Sequence, residues 1–326
     1  MAGTRPRNGV GGGAMGRNVL VTGGAGFIGS HLVGALVSRG DRVVVVDNLS
    51  TGQRGNLPPG VDLVVAGAED ASALEPLMRG VELVYHLAAL ASVQASLDNP
   101  LASHAACATA TVTVCQAARL AGVRRVVYAG SASAYGIPAG PVQHESDPLS
   151  PLSPYAAAKL AGELYLQAFG ASFGLETARL RFFNVFGPRQ RPDSPYSGVI
   201  ALFASALMRG RQPIVLGDGL QTRDFVYVSD VVRALLAAGE SRAMVGQVVQ
   251  VGTGKPTTLL ELIAALGVVL DKPVQPGFGP ARSGDIRHSC ANLDQARALL
   301  GYSPSVSLSE GLAHTLRWME QTAKTT

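Results

Sequence analysis

Short, uninterrupted apolar runs alternate with stretches of helical spacing through the first half of the chain. Asn18 to Thr22 is such a run and breaks into GGAGFIGS; His31 to Ser38 then carries apolar side chains at helical spacing, and Gly40 closes that helix. Arg42 to Asp47 (RVVVVD) reads as a buried strand that ends in an acid. Further apolar strands at Leu63 to Val65, Leu83 to Tyr85 and Val126 to Tyr128 alternate with helical stretches. Strands joined by helices predict an α/β protein with a parallel, doubly wound sheet, whose functional loops lie at the strand C-termini. The C-terminal third is a smaller mixed region in which Thr258 with Glu261, and Ser307 with Glu310, form capping boxes that open helices.

The turn after the first strand carries Gly23, Gly26 and Gly29, a GxxGxxG rather than a GxGxxG spacing. Glycines there allow a tight turn and close approach of a pyrophosphate, which the helix N-terminus attracts. Asp47 ends the second strand about 20 residues on, where an acid binds ribose hydroxyls and repels a 2′-phosphate, which selects NAD over NADP. Strand, glycine turn, helix, strand and acid together predict a Rossmann-like dinucleotide-binding domain over residues 17–183. Two later loops face the same crevice. HLAALA, with Leu87, Ala88 and Ala89, is small enough for close backbone approach to a cofactor, and AGSASAYG sets Ser131 and Ser133 beside it.

Candidate chemistry lies in SPYAAAK, Ser153 to Lys159. Ser153 is a suitable N-cap and Pro154 fits the first helical position. Tyr155 and Lys159, four apart, share one helix face, and an ammonium beside a phenol favours the phenolate, a general base usable near neutral pH. A packed ring beside a solvated charge is the ordinary alternative, but Lys159 is one of four lysines in a chain that otherwise uses arginine.

Composition removes other classes. Basic residues exceed acidic ones by four, 27 against 23, without the basic stripe and interleaved aromatics that nucleic acid requires. Cys107, Cys115 and Cys290 cannot close a disulfide framework and have no metal-ligand spacing, which points to a reducing cytoplasm. The six histidines show no paired spacing either, so no metal is expected. Residues 1–16, rich in Gly and Arg, read as a flexible leader with no apolar signal region. The longest apolar candidate, Leu259 to Leu270, is too short to cross a membrane and carries Glu261. VGTGKPTT (Val251 to Thr258) lacks the upstream glycine and the hydroxyl residue of a phosphate loop.

TGGAGFIGS, DNLSTG (Asp47 to Gly52), Ser131, Tyr155 with Lys159, RFFNVFGPRQ (Arg181 to Gln190), GDGLQTRDFVYVSD (Gly217 to Asp230) and RSGDIRHS (Arg282 to Ser289) together resemble the extended short-chain dehydrogenase/reductases that act on nucleotide sugars. The resemblance covers nearly everything after residue 16. It implies that residues 184–326 are mainly a nucleotide-sugar domain, with about 225–251 returning to the first. It further implies NAD contacts from Gly23, Gly26, Phe27, Ile28, Gly29, Asp47, Asn48, Ser50, Thr51, Gly52, Glu69, Leu87, Ala88, Ala89, Tyr155, Lys159, Phe183 and Val185. A UDP-sugar would meet Ser131, Ala132, Ser133, Asn184, Arg191, Val199, Arg223, Arg282, Asp285 and Ser289, with Arg223 and Arg282 on its diphosphate. A homodimer through the helices containing Cys107 and Tyr155 is also implied. Three positions depart from the family: Ala68 stands where an acid often contacts adenine, Cys107 replaces a common asparagine, and Asn184 is a departure if the substrate is glucuronate, where a threonine is frequent.

Within that resemblance, dehydratases carry Asp-Glu after the active serine or threonine, and decarboxylases keep the Glu. Ala132 and Ser133 fit neither and leave 4-epimerisation, in which Tyr155 takes the 4-OH proton, Ser131 hydrogen-bonds the 4-oxygen and the sugar turns before reduction on its other face. PRQRPD (Pro188 to Asp193) is most similar to UDP-glucuronate 4-epimerases, where Arg191 would pair with the sugar carboxylate. Ser289 leaves room for an N-acetyl group, so UDP-N-acetylglucosamine and UDP-glucose remain as alternatives, as does a non-catalytic NAD-binding sensor.

Overall fold

The structure is a computed structural model and describes residues 16–191, 198–281 and 286–323. The strands, in chain order, are β1 (Asn18–Thr22), β2 (Arg42–Val46), β3 (Asp62–Val64), β4 (Leu83–His86), β5 (Arg125–Ser131), β6 (Glu176–Phe182), β7 (Asn184–Phe186), β8 (Ile214–Leu216), β9 (Thr222–Tyr227), β10 (Val248–Val251), β11 (Pro256–Thr258) and β12 (Gly277–Gly279). Seven of them form one sheet in the order β3-β2-β1-β4-β5-β6-β10, with every neighbouring pair parallel. The strand order reverses between β1 and β4, which opens a crevice outside their C-terminal ends.

Alternation along each strand divides the core between the two sheet faces. Val19 and Val21 join Leu32, Leu36 and Val45 on one face, while Leu20 joins Val84, Val126 and Leu166 on the other. A parallel sheet covered on both faces needs apolar residues at every position, which is why these strands read as continuous runs. The third cluster lies apart from the sheet. Phe186, Phe203, Phe225, Leu262 and Leu316 pack beside the three-stranded sheet β11-β9-β7 and the pair β12-β8.

The first helix begins at Phe27, four residues before the spacing places it, because Gly26 rather than a polar side chain is its N-cap. Val65 lies outside β3 and is 55% exposed. β5 runs on to Ser131, pairing it with Phe182 of β6, so Ser131 is a strand end held by its neighbour rather than a loop residue. The helix Val228–Glu240 packs on Phe27–Ser38, and β10 completes the large sheet, so the chain returns there after 184. The capping box at Thr258 and Glu261 forms in both directions; at Ser307 only the bond from the Glu310 N–H to the Ser307 hydroxyl, 3.2 Å, is present. Among the described residues no helix is long and apolar enough to cross a membrane.

Candidate active site

Three strand ends meet at the crevice. β1 leads into Gly23, whose φ of +70° is the left-handed region that favours glycine, and a Cβ there would stand 2.7 Å from the Ala88 backbone nitrogen. A Cβ at Gly29 would collide with the Gly23 carbonyl. The helix Phe27–Ser38 has no side-chain cap and no acid in its first turn, so its leading N–H groups are left for an outside acceptor. A turn that excludes side chains beneath an uncapped helix is a cradle for a pyrophosphate, and it fits NAD.

Asp47 closes the other side. Its carboxylate is buried and accepts from the Ala25 N–H at 2.9 Å and the Leu49 N–H at 2.8 Å. Leu49 adopts φ +58°, a strained conformation for leucine, to make that contact. A carboxylate has about four lone-pair sites, so Asp47 keeps acceptors for ribose hydroxyls while tying the glycine turn to the second strand. Asn48, Ser50 and Thr51 are exposed around it, and Gly52 is buried where an added Cβ would stand 2.8 Å from the Asp47 carboxylate. Glu69 is exposed beyond buried Ala68. Leu87, Ala88 and Ala89 follow β4 half-buried.

Across the crevice, Ser153 caps the helix Pro154–Phe173 by accepting from the Ala156 N–H at 3.2 Å, and Pro154 is its first residue. Tyr155 is half-buried, with the Ser131 side chain as a neighbour of its phenol. The Ser131 hydroxyl also lies 2.8 Å from that of Ser133, on the 3-10 turn Ala132–Tyr135. Cys107 and Ala158 pack with Tyr155 in one small apolar cluster.

The sequence pattern predicts an ammonium that lowers the Tyr155 pKa, and here the structure differs. Burial pushes the phenol up to about 12, Cys107 adds to the rise, and the neighbouring Ser131 hydroxyl only partly offsets them. The Lys159 ammonium lies instead over the Tyr128 ring, 4.2 Å from its centroid, and burial lowers its own pKa. Helical spacing places two Cα atoms on one face; it does not say where a four-carbon side chain ends.

The remaining candidates lie beyond β6 in the chain. Phe183 is buried, Val185 half-buried and Asn184 exposed. Arg191 is exposed at the edge of the described chain, and Val199 opens the helix Val199–Met208, whose N-cap Gly198 supplies no side-chain bond. Arg223 donates to the carbonyls of Thr222 at 2.8 Å and Ile286 at 2.7 Å, which ties β9 to the segment leading to half-buried Ser289. Arg282 and Asp285 lie outside the described residues.

Sequence reasoning missed the polar framework behind these groups. His86, in the loop read only for its small residues, is fully buried between the Thr22 hydroxyl at 2.7 Å and the Thr111 hydroxyl at 3.0 Å. His31 makes a 2.9 Å hydrogen bond to the Pro188 carbonyl, joining the glycine-turn helix to the loop that leads to Arg191. The signal was a polar residue inside an otherwise apolar stretch, which a buried position tolerates only when hydrogen-bonded.

The sequence profile described as "NAD dependent epimerase/dehydratase family" matches residues 19–252. The UDP-glucose 4-epimerase of Mycolicibacterium smegmatis is 42% identical over 306 residues, covering 92% of this chain and 97% of the relative. The UDP-glucose 4-epimerase of Thermotoga maritima, solved with UDP-glucose, superposes with a TM-score of 0.90 at 37% identity, covering 94% of this chain and 99% of that one. MoeE5 in complex with UDP-glucuronic acid and NAD gives a TM-score of 0.85 at 38% identity, with coverage of 94% and 99%.

Proposed function

Because the chain belongs to the NAD-dependent epimerase/dehydratase family and is an NAD-dependent UDP-sugar 4-epimerase, we propose that it interconverts UDP-glucuronate and UDP-galacturonate. The observation that carries the reading is that Ser131, bonded to Ser133 at 2.8 Å, neighbours the Tyr155 phenol. NAD, which the Gly23–Gly29 turn and Asp47 would hold, would supply the hydride acceptor and donor at C4 of the sugar. Tyr155, as phenolate, takes the 4-OH proton and gives it back to the 4-oxygen after the sugar has turned. Ser131, a neighbour of the Tyr155 phenol, is placed to donate to the 4-oxygen, and Lys159 supplies positive charge one helical turn away. Arg223 anchors the diphosphate, about which the 4-keto sugar pivots.

For the acid sugar, the support is that Ser131 and Ser133 offer two hydroxyls beside Tyr155 where a C5 carboxylate needs donors, with Arg191 as its counter-ion. A clamped carboxylate also keeps the β-keto acid formed by oxidation at C4 out of the alignment that releases CO2. The neutral hexose is a second reading, favoured by the 42% identity to a UDP-glucose 4-epimerase. The deciding experiment offers purified protein, without added NAD, UDP-glucuronate, UDP-glucose and UDP-N-acetylglucosamine separately, and identifies products by NMR. Galacturonate formation supports the reading; conversion of neutral sugars alone overturns the substrate and leaves the epimerase.

Arg191→Ala should lower kcat/KM for UDP-glucuronate by about 10- to 100-fold, the worth of a charge-assisted pair, and change a neutral sugar by no more than about threefold. Equal loss on both would make Arg191 structural. We also place the enzyme in the cytoplasm as a homodimer. Its three cysteines are all free and buried, and the packed helices Pro100–His104 and Pro154–Phe173 expose Leu101 at 83% and Leu164 at 56%. Light scattering should give twice the chain mass, and Leu164→Glu should shift it to monomer.

A further inference from the structure

Lys159 is 2% exposed, and a buried ammonium needs a compensating surface. The charged and titratable groups around it are Cys107 from the π-turn Ala105–Thr109, Glu163 from its own helix, which also carries Tyr155 one turn away, His86 from β4 and Tyr128 from β5. Glu163 is already engaged by the Arg181 guanidinium at 3.0 Å. The ammonium lies over the face of Tyr128, 4.2 Å from the ring centroid. The Tyr128 hydroxyl donates to the backbone carbonyl of Lys159 itself, at 3.0 Å. One side chain therefore grips the lysine at both ends. Resting on the reading of Tyr155 and Lys159 given above, we infer that Tyr128 is a positioning residue whose ring holds the Lys159 ammonium charged and in place.

Two further features are built around this contact. Gly162 sits inside the helix Pro154–Phe173, where glycine costs roughly 1 kcal/mol against alanine. A Cβ at Gly162 would stand 2.5 Å from the Tyr128 oxygen and 3.0 Å from the Thr111 hydroxyl, so the helix gives up propensity to admit the phenol.

Behind the ring, the hydrogen bonds have a single proton order. Thr111 spends its one proton on the Cys107 carbonyl, at 2.6 Å, so at 3.0 Å it accepts from Nε2 of His86. Nδ1 of His86 then accepts from the Thr22 hydroxyl at 2.7 Å, whose oxygen accepts from the Ala88 N–H at 3.3 Å. His86 is thereby neutral, and burial, with Lys159 nearby, holds it down to about 3. Its ring, 5.7 Å from that of Tyr128, backs the platform without placing a second cation beside the lysine.

With only four lysines, the test can read Lys159 directly. Protein labelled with carbon-13 at the lysine ε position should give one ring-shifted resonance that disappears in Lys159→Arg. In Tyr128→Phe that resonance should keep its ring shift and its titration. In Tyr128→Leu the ring shift should vanish and the lysine pKa should fall by about one unit, as expected for loss of a buried cation–π contact. The acid limb of kcat against pH should move up in Tyr128→Leu and stay in place in Tyr128→Phe. Unchanged titration in Tyr128→Leu, or equal change in both variants, overturns the inference. If Tyr128→Leu does not fold, Gly162→Ala, which displaces the phenol, must reduce the ring shift, and failure to do so overturns it equally. A lysine that responds as expected in a parent protein that turns over no UDP-sugar leaves the contact standing and removes the general-base reading.

Discussion

Tyr155→Phe should retain NAD and UDP-sugar and lose turnover by roughly 10²- to 10⁴-fold, the usual worth of a positioned acid/base group. Binding should survive because the phenylalanine ring still fills the cluster with Cys107 and Ala158, while the phenolic oxygen that takes the 4-OH proton is gone. Product NMR gives the rate, and release of nicotinamide cofactor from denatured protein gives NAD content. Undiminished turnover would remove Tyr155 from the base role. The pH dependence has a definite sign. Burial pushes the phenol up to about 12, so the phenolate is the minor form at neutral pH and kcat should climb as pH rises. A flat profile would mean that proton transfer does not limit the rate or that another group takes the proton.

The largest effect on stability should come from Glu163→Ala. Glu163 and Arg181 form a buried pair, with Nε of Arg181 donating at 3.0 and 3.2 Å, and both side chains are almost wholly excluded from water. Arg181 also donates to the Tyr135 hydroxyl at 2.8 Å, which accepts from Gln250 at 2.7 Å, while the Gln250 N–H donates to Glu145 at 2.9 Å. This network ties the helix bearing Tyr155 to β6 and β10. Removing the carboxylate strands a guanidinium in the interior, at a cost of about 3–5 kcal/mol. Urea unfolding should show that loss, and Glu163→Leu with Arg181→Met should recover most of it, because two apolar residues need no partner. A loss under about 1 kcal/mol in Glu163→Ala would mean that water reaches Arg181 and the pair is not desolvated.

Why Gly130 is a glycine follows from the same pair. A Cβ there would stand 2.8 Å from the Glu163 carboxylate, so the strand leading to Ser131 leaves room for the ion pair behind the site. Side chains that never touch substrate thus constrain positions on both sides of the crevice.

Much of this protein was legible in one dimension. Period and punctuation are local, so the run Asn18 to Thr22, the glycines at 23, 26 and 29, the acid at 47 and the cap at Ser153 with Pro154 carry their meaning wherever the chain folds. Each reflects a backbone demand: a continuous apolar strand for a sheet covered on two faces, glycine where φ is +70°, a hydroxyl to satisfy a helix N-terminus. Only the tertiary structure decided where flexible side chains finish and what a buried polar atom meets. The Lys159 ammonium ends on the Tyr128 ring, 31 positions away in sequence, and not where helical spacing alone sent it. His86, Glu163 and Arg181 became readable only when Thr22, Thr111 and Tyr135 were brought to them, since a hydrogen bond between distant segments leaves no periodic trace in the chain. The charge state of the base was decided in the same way: spacing places a phenol near an amine, but the pKa depends on the water and the neighbours that the whole fold removes or supplies.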